Sequence, residues 1–278
     1  MIKNLLKNNN LQVSDLEREL KESADKRQAA ILQRFFKTGP GEYGAGDVFL
    51  GLKVPLIRTL ARKYADLSLS GVQRLLNSKF HGFRLAGFLI LVYKYEAAGK
   101  SAVRPSRTKN ISQQTIVIEN RSARQAIVIE KEIVQQAIVT FYLRNARRAN
   151  NWDLVDLSVY KILGDFLLQQ TRVEQRRILD KLAISDNIWE RRMAIVATYA
   201  FIKNGQVNET FRIALKLLGD KEDLIHKAVG WMLREAGRRD RAALKNFLNA
   251  HIRRLPRVTL RYAIEHFPAE ERQKYLKK

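Results

Sequence analysis

The chain has 278 residues, 46% of them hydrophobic, enough for one elongated domain or two ordinary ones. Its 51 Lys plus Arg against 28 Asp plus Glu leave a formal net charge of +23, which calls for a polyanionic partner: nucleic acid first, a membrane surface second, a ribosomal or merely soluble basic role third. The absence of cysteine excludes disulfides, a cysteine nucleophile, a zinc ribbon and a cysteine-ligated iron–sulfur cluster.

Apolar residues recur at helical spacing through most of the chain, and alternating stretches closed by Asn-Gly or Asp-Gly turns are nearly absent, so an all-α fold is expected. The amino terminus lacks the apolar run of a signal peptide. The longest apolar stretch, Leu85 to Tyr93, is about nine residues where a membrane span needs about twenty. A soluble, intracellular protein is expected, cytoplasmic and associated with the nucleoid. In chain order, the first predicted helices are at about 16–36, 55–66, 70–78 and 82–96. Between the first two, Gly39-Pro-Gly41-Glu-Tyr-Gly44 matches a dinucleotide fingerprint in letters only, since no strand precedes it. Its glycines are expected to shape a turn that leaves Tyr43 facing a ligand.

The segment at about 101–136 reads differently. Gln114-Thr-Ile-Val, Gln125-Ala-Ile-Val and Gln136-Ala-Ile-Val recur about every eleven residues, as in a local tandem duplication. An eleven-residue apolar period fits a helix, while the β-branched runs would also pair as strands and, if exposed, promote aggregation. An inserted loop or an extended helix is the plainer reading.

Further helices are predicted at about 131–146, 152–169, 171–183, 187–203, 208–217, 221–237, 240–250 and 257–266. An anchor followed by an apolar helix recurs at intervals of about 34–37 residues, beginning near Trp152, Trp189, Leu224 and Val258. That period suits a two-helix unit that cannot bury its own face and stacks on its neighbours. The expectation is a HEAT-like helical-repeat solenoid with a concave basic surface, forming one domain over 1–278.

Asn150 or Asn151 is suited to cap a helix, and Asp153 in the first turn complements its dipole. Trp152 and Asp156, four residues apart, share one face, while Val155, Val159, Ile162 and Phe166 form another that can pack inward. An aromatic wall beside a carboxylate is one reading; a core tryptophan and a solvated aspartate is the other. Trp189 with Arg192 opens the next repeat, and Trp231 follows a glycine that permits close approach. Lys203, Lys227, Arg234, Arg253, Arg254, Arg257 and Arg261 accompany them, as expected if successive repeats present phosphate contacts. His81, His226, His251 and His266 show no ligand spacing, so each is assigned a surface or capping role and neither metal nor cofactor is expected.

In these residues the chain resembles the AlkD family of DNA alkylation repair proteins. The matching stretches are Phe49-Leu-Gly51 with Val54-Pro55 and Arg58, then Asn150 to Asp156, Asp186 to Arg192, His226 to Glu235 and Pro256 to Glu265. The resemblance implies a glycosylase that holds duplex DNA and removes cationic purines such as 3-methyladenine or 7-methylguanine without full base flipping. By motif, the carboxylate is Asp156, the aromatics Trp152 and Trp231, and the neighbouring basic residue Arg192; Tyr43 is a looser match. DNA contacts are expected from Tyr43, Trp189, Lys203, Lys227, Arg234, Arg257 and Arg261, in a monomer. Gly82 departs from the acidic residue more usual in the family. A non-catalytic nucleic-acid binder and a protein-interaction scaffold are the competing functions on the same scaffold.

Overall fold

The computed structural model describes residues 12–100 and 113–277, and these are helical with no strand among them beyond a single parallel bridge between Val48 and Phe80. Residues 101–112, the first part of the unusual segment, lie outside the described residues. Two compact units emerge, Met1–Asn145 and Ala146–Lys278.

In the first unit, α1 (Val13–Glu22) buries Leu16 and Leu20, one turn apart. The predicted helix at 16–36 is two helices, because the Asp25 carboxylate accepts the Gln28 amide at 3.0 Å and starts α2 (Lys26–Phe35) afresh. The chain then runs to α3 (Val54–Lys63), α4 (Leu69–Leu76) and α5 (His81–Lys100), with α3 and α4 both packed on α5. Gly51 is indispensable in the connection: its φ is +80°, and a Cβ there would stand 2.0 Å from the Asp25 carbonyl oxygen. His81 corrects an expectation. It is buried, stacked on Phe49 at 4.4 Å, rather than at the surface. Gly82 fits tightly beneath Leu52 and Ile57, so an acidic side chain there would displace that contact. The buried Arg84 guanidinium donates to Asp47 at 2.5 Å and to the Ser78 carbonyl at 2.8 Å.

The eleven-residue repeat is helical. From Gln113 it belongs to α6 (Gln113–Arg144), which packs on α5 with Tyr142 edge-on to Phe88 at 5.6 Å and buries Val134, Ile138 and Val139. One repeat earlier Val128 and Ile129 are each 52% exposed.

The second unit is a stack of helical hairpins. Its first-position helices are α7 (Trp152–Asp156), α10 (Ile188–Ala197), α13 (Asp223–Arg239) and α15 (Arg257–Ala263), starting 36, 35 and 34 residues apart. Between α7 and α10 the chain passes through a π-helical turn, Tyr160–Gly164, then α8 (Asp165–Leu168) and α9 (Arg172–Ala183). After α10 come α11 (Tyr199–Lys203) and α12 (Asn208–Leu217), then α14 (Arg241–His251) after α13 and α16 (Ala269–Lys277) at the end. Helix α10 packs on α7 and α13, and α13 packs on α15, while α9, α12 and α14 form the second layer. This HEAT-like helical-repeat arrangement bears out the expected fold class.

Two glycines let successive repeats close on each other. A Cβ on Gly164 would lie 2.4 Å from the Ala197 carbonyl oxygen, and one on Gly230 would lie 2.7 Å from that of Thr259. The close approach at Gly164 coincides with interruption of both partners, a π turn in one and a break at Thr198 in the other. The predicted helices at 152–169 and 187–203 are therefore each broken where they cross.

Candidate nucleic-acid interface

Asn151, fully buried, opens α7 by accepting the Trp152 amide at 2.9 Å. That cap fixes the turn on which Trp152 and Asp156 are carried, and both are half-buried. The expected inward face is confirmed: Val155, Val159 and Ile162 are fully buried and Phe166 nearly so. Asp153 stands in the first turn as expected, and it is buried.

Asp156 is held from the next repeat. Arg192 donates from Nε to one carboxylate oxygen at 2.9 Å and from Nη2 to the other at 2.7 Å, and its Nη1 donates to the Leu224 carbonyl at 2.6 Å. Three helical segments thereby fix one guanidinium, and the planar fork fixes the carboxylate. Burial pushes the Asp156 carboxyl above the usual aspartate range, Arg192 opposes that rise and neighbouring Asp153 adds to it.

An aromatic row continues from this carboxylate. One turn beyond Asp156, the Tyr160 ring meets Tyr199 edge-on at 5.2 Å, and Tyr199 meets Trp231 at 6.0 Å with a tilt of 40°. The three rings come from the π turn, α11 and α13, and all are half-buried. The row thus runs from Tyr160, four residues beyond Asp156, to Trp231 through Tyr199, with two tyrosines that the motif did not single out. Their signal was present: Trp152, Asp156 and Tyr160 fall at i, i+4 and i+8, and Arg192 and Tyr199 at i and i+7.

The remaining expected residues separate. Trp189 is buried at 4%, and its amide is taken by the Asn187 cap at 2.9 Å. This corrects the expectation of a DNA contact there: the cap starts α10 so that Trp189 enters the core. Lys227 is paired with Asp223 at 2.7 Å, and Arg234 bonds Glu235 and Glu265, so their charge is largely answered within the chain. Lys203, Arg257 and Arg261 are exposed and have no carboxylate partner among the described residues, although Arg257 donates to the Leu276 carbonyl at 2.7 Å. In the second layer several cations are compensated, Arg176 and Arg212 by Glu209, Arg212 and Lys216 by Asp180, and Arg241 and Lys245 by Glu271. Tyr43 belongs to the first unit, half-buried, its hydroxyl 3.5 Å from the Phe35 carbonyl.

His226 links Nε2 to the Asp220 carbonyl at 2.6 Å, consistent with a capping role, and the half-buried His251 ring packs on Phe247. Among the described residues no group of three or more His, Asp or Glu side chains could hold a metal ion, and no helix is long and apolar enough to cross a membrane.

A stack of helical repeats that presents a clamped carboxylate, a row of half-buried aromatics and uncompensated cations defines a helical-repeat protein with a candidate nucleic-acid face. The family model of the DNA alkylation repair enzymes matches residues 16–267, and the chain belongs to that family, which supports a role in DNA repair. A solved structure described as a predicted DNA alkylation repair enzyme from Enterococcus faecalis shares the fold, with a TM-score of 0.57 and 14% identity, over 88% of this chain and 97% of that one. No curated protein sequence matches the chain.

Proposed function

We propose that the protein is a monofunctional DNA glycosylase that hydrolyses the N-glycosidic bond of cationic alkylated purines, 3-methyladenine or 7-methylguanine, in duplex DNA. The observation that carries this reading is the half-buried Asp156 carboxylate, clamped by Arg192 one turn from an aromatic row, in a member of a DNA alkylation repair family.

A purine alkylated at N3 or N7 already carries positive charge and leaves without a general acid, so the carboxylate pair of ordinary glycoside hydrolysis is unnecessary. The barrier that remains is an oxocarbenium-like sugar. Asp156 stabilises that cation electrostatically and orients the attacking water, while Trp152 and Trp231 offer π faces to the cationic base and sugar. Arg192 occupies one direction on each Asp156 oxygen, and each oxygen keeps a second lone pair for water. Arg192 thus acts by holding the carboxylate ionised and aimed. Lys203, Arg257 and Arg261 supply phosphate contacts, with Lys227, Arg234 and Tyr43 in secondary roles, and the protein acts as a monomer with its repeats working as one domain.

The test is release of free base from a duplex carrying N7-methylguanine, read by chromatography, alongside strand integrity before any alkaline treatment. Free 7-methylguanine with intact strands is expected; tight DNA binding with no release above the uncatalysed rate would leave a non-catalytic binder.

A further inference from the structure

The Tyr160 ring has two cations against it, drawn from two segments. Lys161 Nζ lies 5.9 Å from the ring centre and Lys203 Nζ, at the end of α11, lies 5.8 Å from it. Neither ammonium has a carboxylate partner among the described residues, although other lysines of the unit do: Lys227 with Asp223 and Lys245 with Glu271, both at 2.7 Å. The ring face attracts each cation, and no carboxylate among the described residues offsets their mutual repulsion. An oxyanion bridging the two would do so.

We propose that Lys161 and Lys203, organised by the Tyr160 ring, form a phosphate-binding pair for the DNA strand whose damaged nucleotide lies at Asp156. The assignment of the anion to DNA rests on the proposed function. Tyr160 stands four residues beyond Asp156, so their backbones lie at most about 14 Å apart. A strand advances about 3.4 Å along the duplex axis per nucleotide, so the bound phosphate belongs within about four nucleotides of the lesion. The pair sits at the Tyr160 end of the aromatic row, which continues through Tyr199 to Trp231. Phosphate anchoring at one end and ring contact along the row would set the register of the damaged nucleotide on the carboxylate.

The experiment measures duplex affinity by fluorescence anisotropy between 50 and 200 mM salt for the wild type, Lys161→Gln, Lys203→Gln and the double variant. It uses undamaged DNA, N7-methylguanine DNA, and duplexes with a single uncharged methylphosphonate stepped along either side of the lesion. The double variant is expected to reduce the slope of log K against log salt by about 0.9 for one neutralised phosphate. Its affinity loss should vanish on the duplex whose methylphosphonate replaces that phosphate. An unchanged slope, or a loss of equal size at every methylphosphonate position, overturns the proposal. Tyr160→Phe is expected to bind as the wild type does and Tyr160→Leu more weakly; equal binding by Leu and wild type removes the ring from the device and overturns it as stated. Base release is followed on the same duplexes, so failure of the glycosylase reading shows as no release by the wild type, independently of the slopes.

Discussion

Replacing Arg192 by Ala removes the guanidinium that engages both oxygens of Asp156 and the Leu224 carbonyl. The side chains are only 7% and 14% exposed, so water replaces little of what is lost. Removing one partner of a buried ion pair costs about 3–5 kcal/mol, and the residual exposure of Asp156 favours the lower end, near 3 kcal/mol. At roughly 2–4 °C per kcal/mol for a chain of this size, the melting temperature should fall by roughly 6–12 °C. The deficit depends on pH. Without Arg192 the carboxyl pKa rises further, because burial already pushes it up and Arg192 is the main opposing influence. A carboxylate whose folded pKa is raised is stabilised by protonation, so the variant's deficit shrinks as the solution is acidified through that range and is largest at neutral pH. The assay is thermal and urea unfolding at neutral and acidic pH, with Asp156→Leu/Arg192→Met as the companion variant. That double replacement should recover most of the stability, because the main penalty is the orphaned charge. A loss below about 1 kcal/mol at neutral pH, typical of a solvated surface pair, would refute the reasoning.

Other expectations follow from the same geometry. Gly164→Ala places a Cβ 2.4 Å from the Ala197 carbonyl oxygen, a backbone atom that cannot swing away, and should cost about 1–3 kcal/mol in urea titrations. By contrast Gly219→Ala, with open space around its Cβ, should change little. Tyr64, buried and donating to Glu19 at 2.6 Å, has its pKa pushed up to about 12, chiefly by burial and then by that bond. Its contribution is fully present below the unfolded tyrosine value of about 10 and is lost as pH rises towards 12. Stability measured from pH 9 upward should therefore fall more steeply in the wild type than in Tyr64→Phe. Enzymatic base release, corrected for uncatalysed depurination, should decline on acidification at a higher pH than an ordinary aspartate would dictate, because Asp156 acts as the carboxylate and its pKa is raised. A rate flat down to the ordinary aspartate range would remove Asp156 from that role.

The repeat architecture was legible because hydrophobic spacing and a recurring period are both local properties of the text. Helices α7, α10, α13 and α15 start at nearly the expected interval. Their interruptions were not legible: the π turn and the break at Thr198 arise where Gly164 meets the Ala197 backbone, a tertiary contact that no window around either residue contains. Trp152, Asp156 and the inward Val155–Phe166 face followed from i, i+4 arithmetic, and the close approach at Gly230 from the glycine itself. Tyr160 and Tyr199 obeyed the same arithmetic and were passed over because the motif ended at Asp156. Trp189 could not be placed from sequence, since a tryptophan near a helix start enters the core or leaves it according to the cap that precedes it, here Asn187. The pairing of Lys227 and Arg234 with nearby carboxylates was equally invisible to a count of charges.

The central claim is that Asp156 performs the chemistry on a damaged nucleotide held by this face. The most direct measurement is the single-turnover rate of 7-methylguanine release from saturated duplex DNA by wild type and Asp156→Asn, with binding of both confirmed by anisotropy. The account predicts that the variant binds DNA and loses base release to near the uncatalysed rate. Release by Asp156→Asn at the wild-type rate would contradict it.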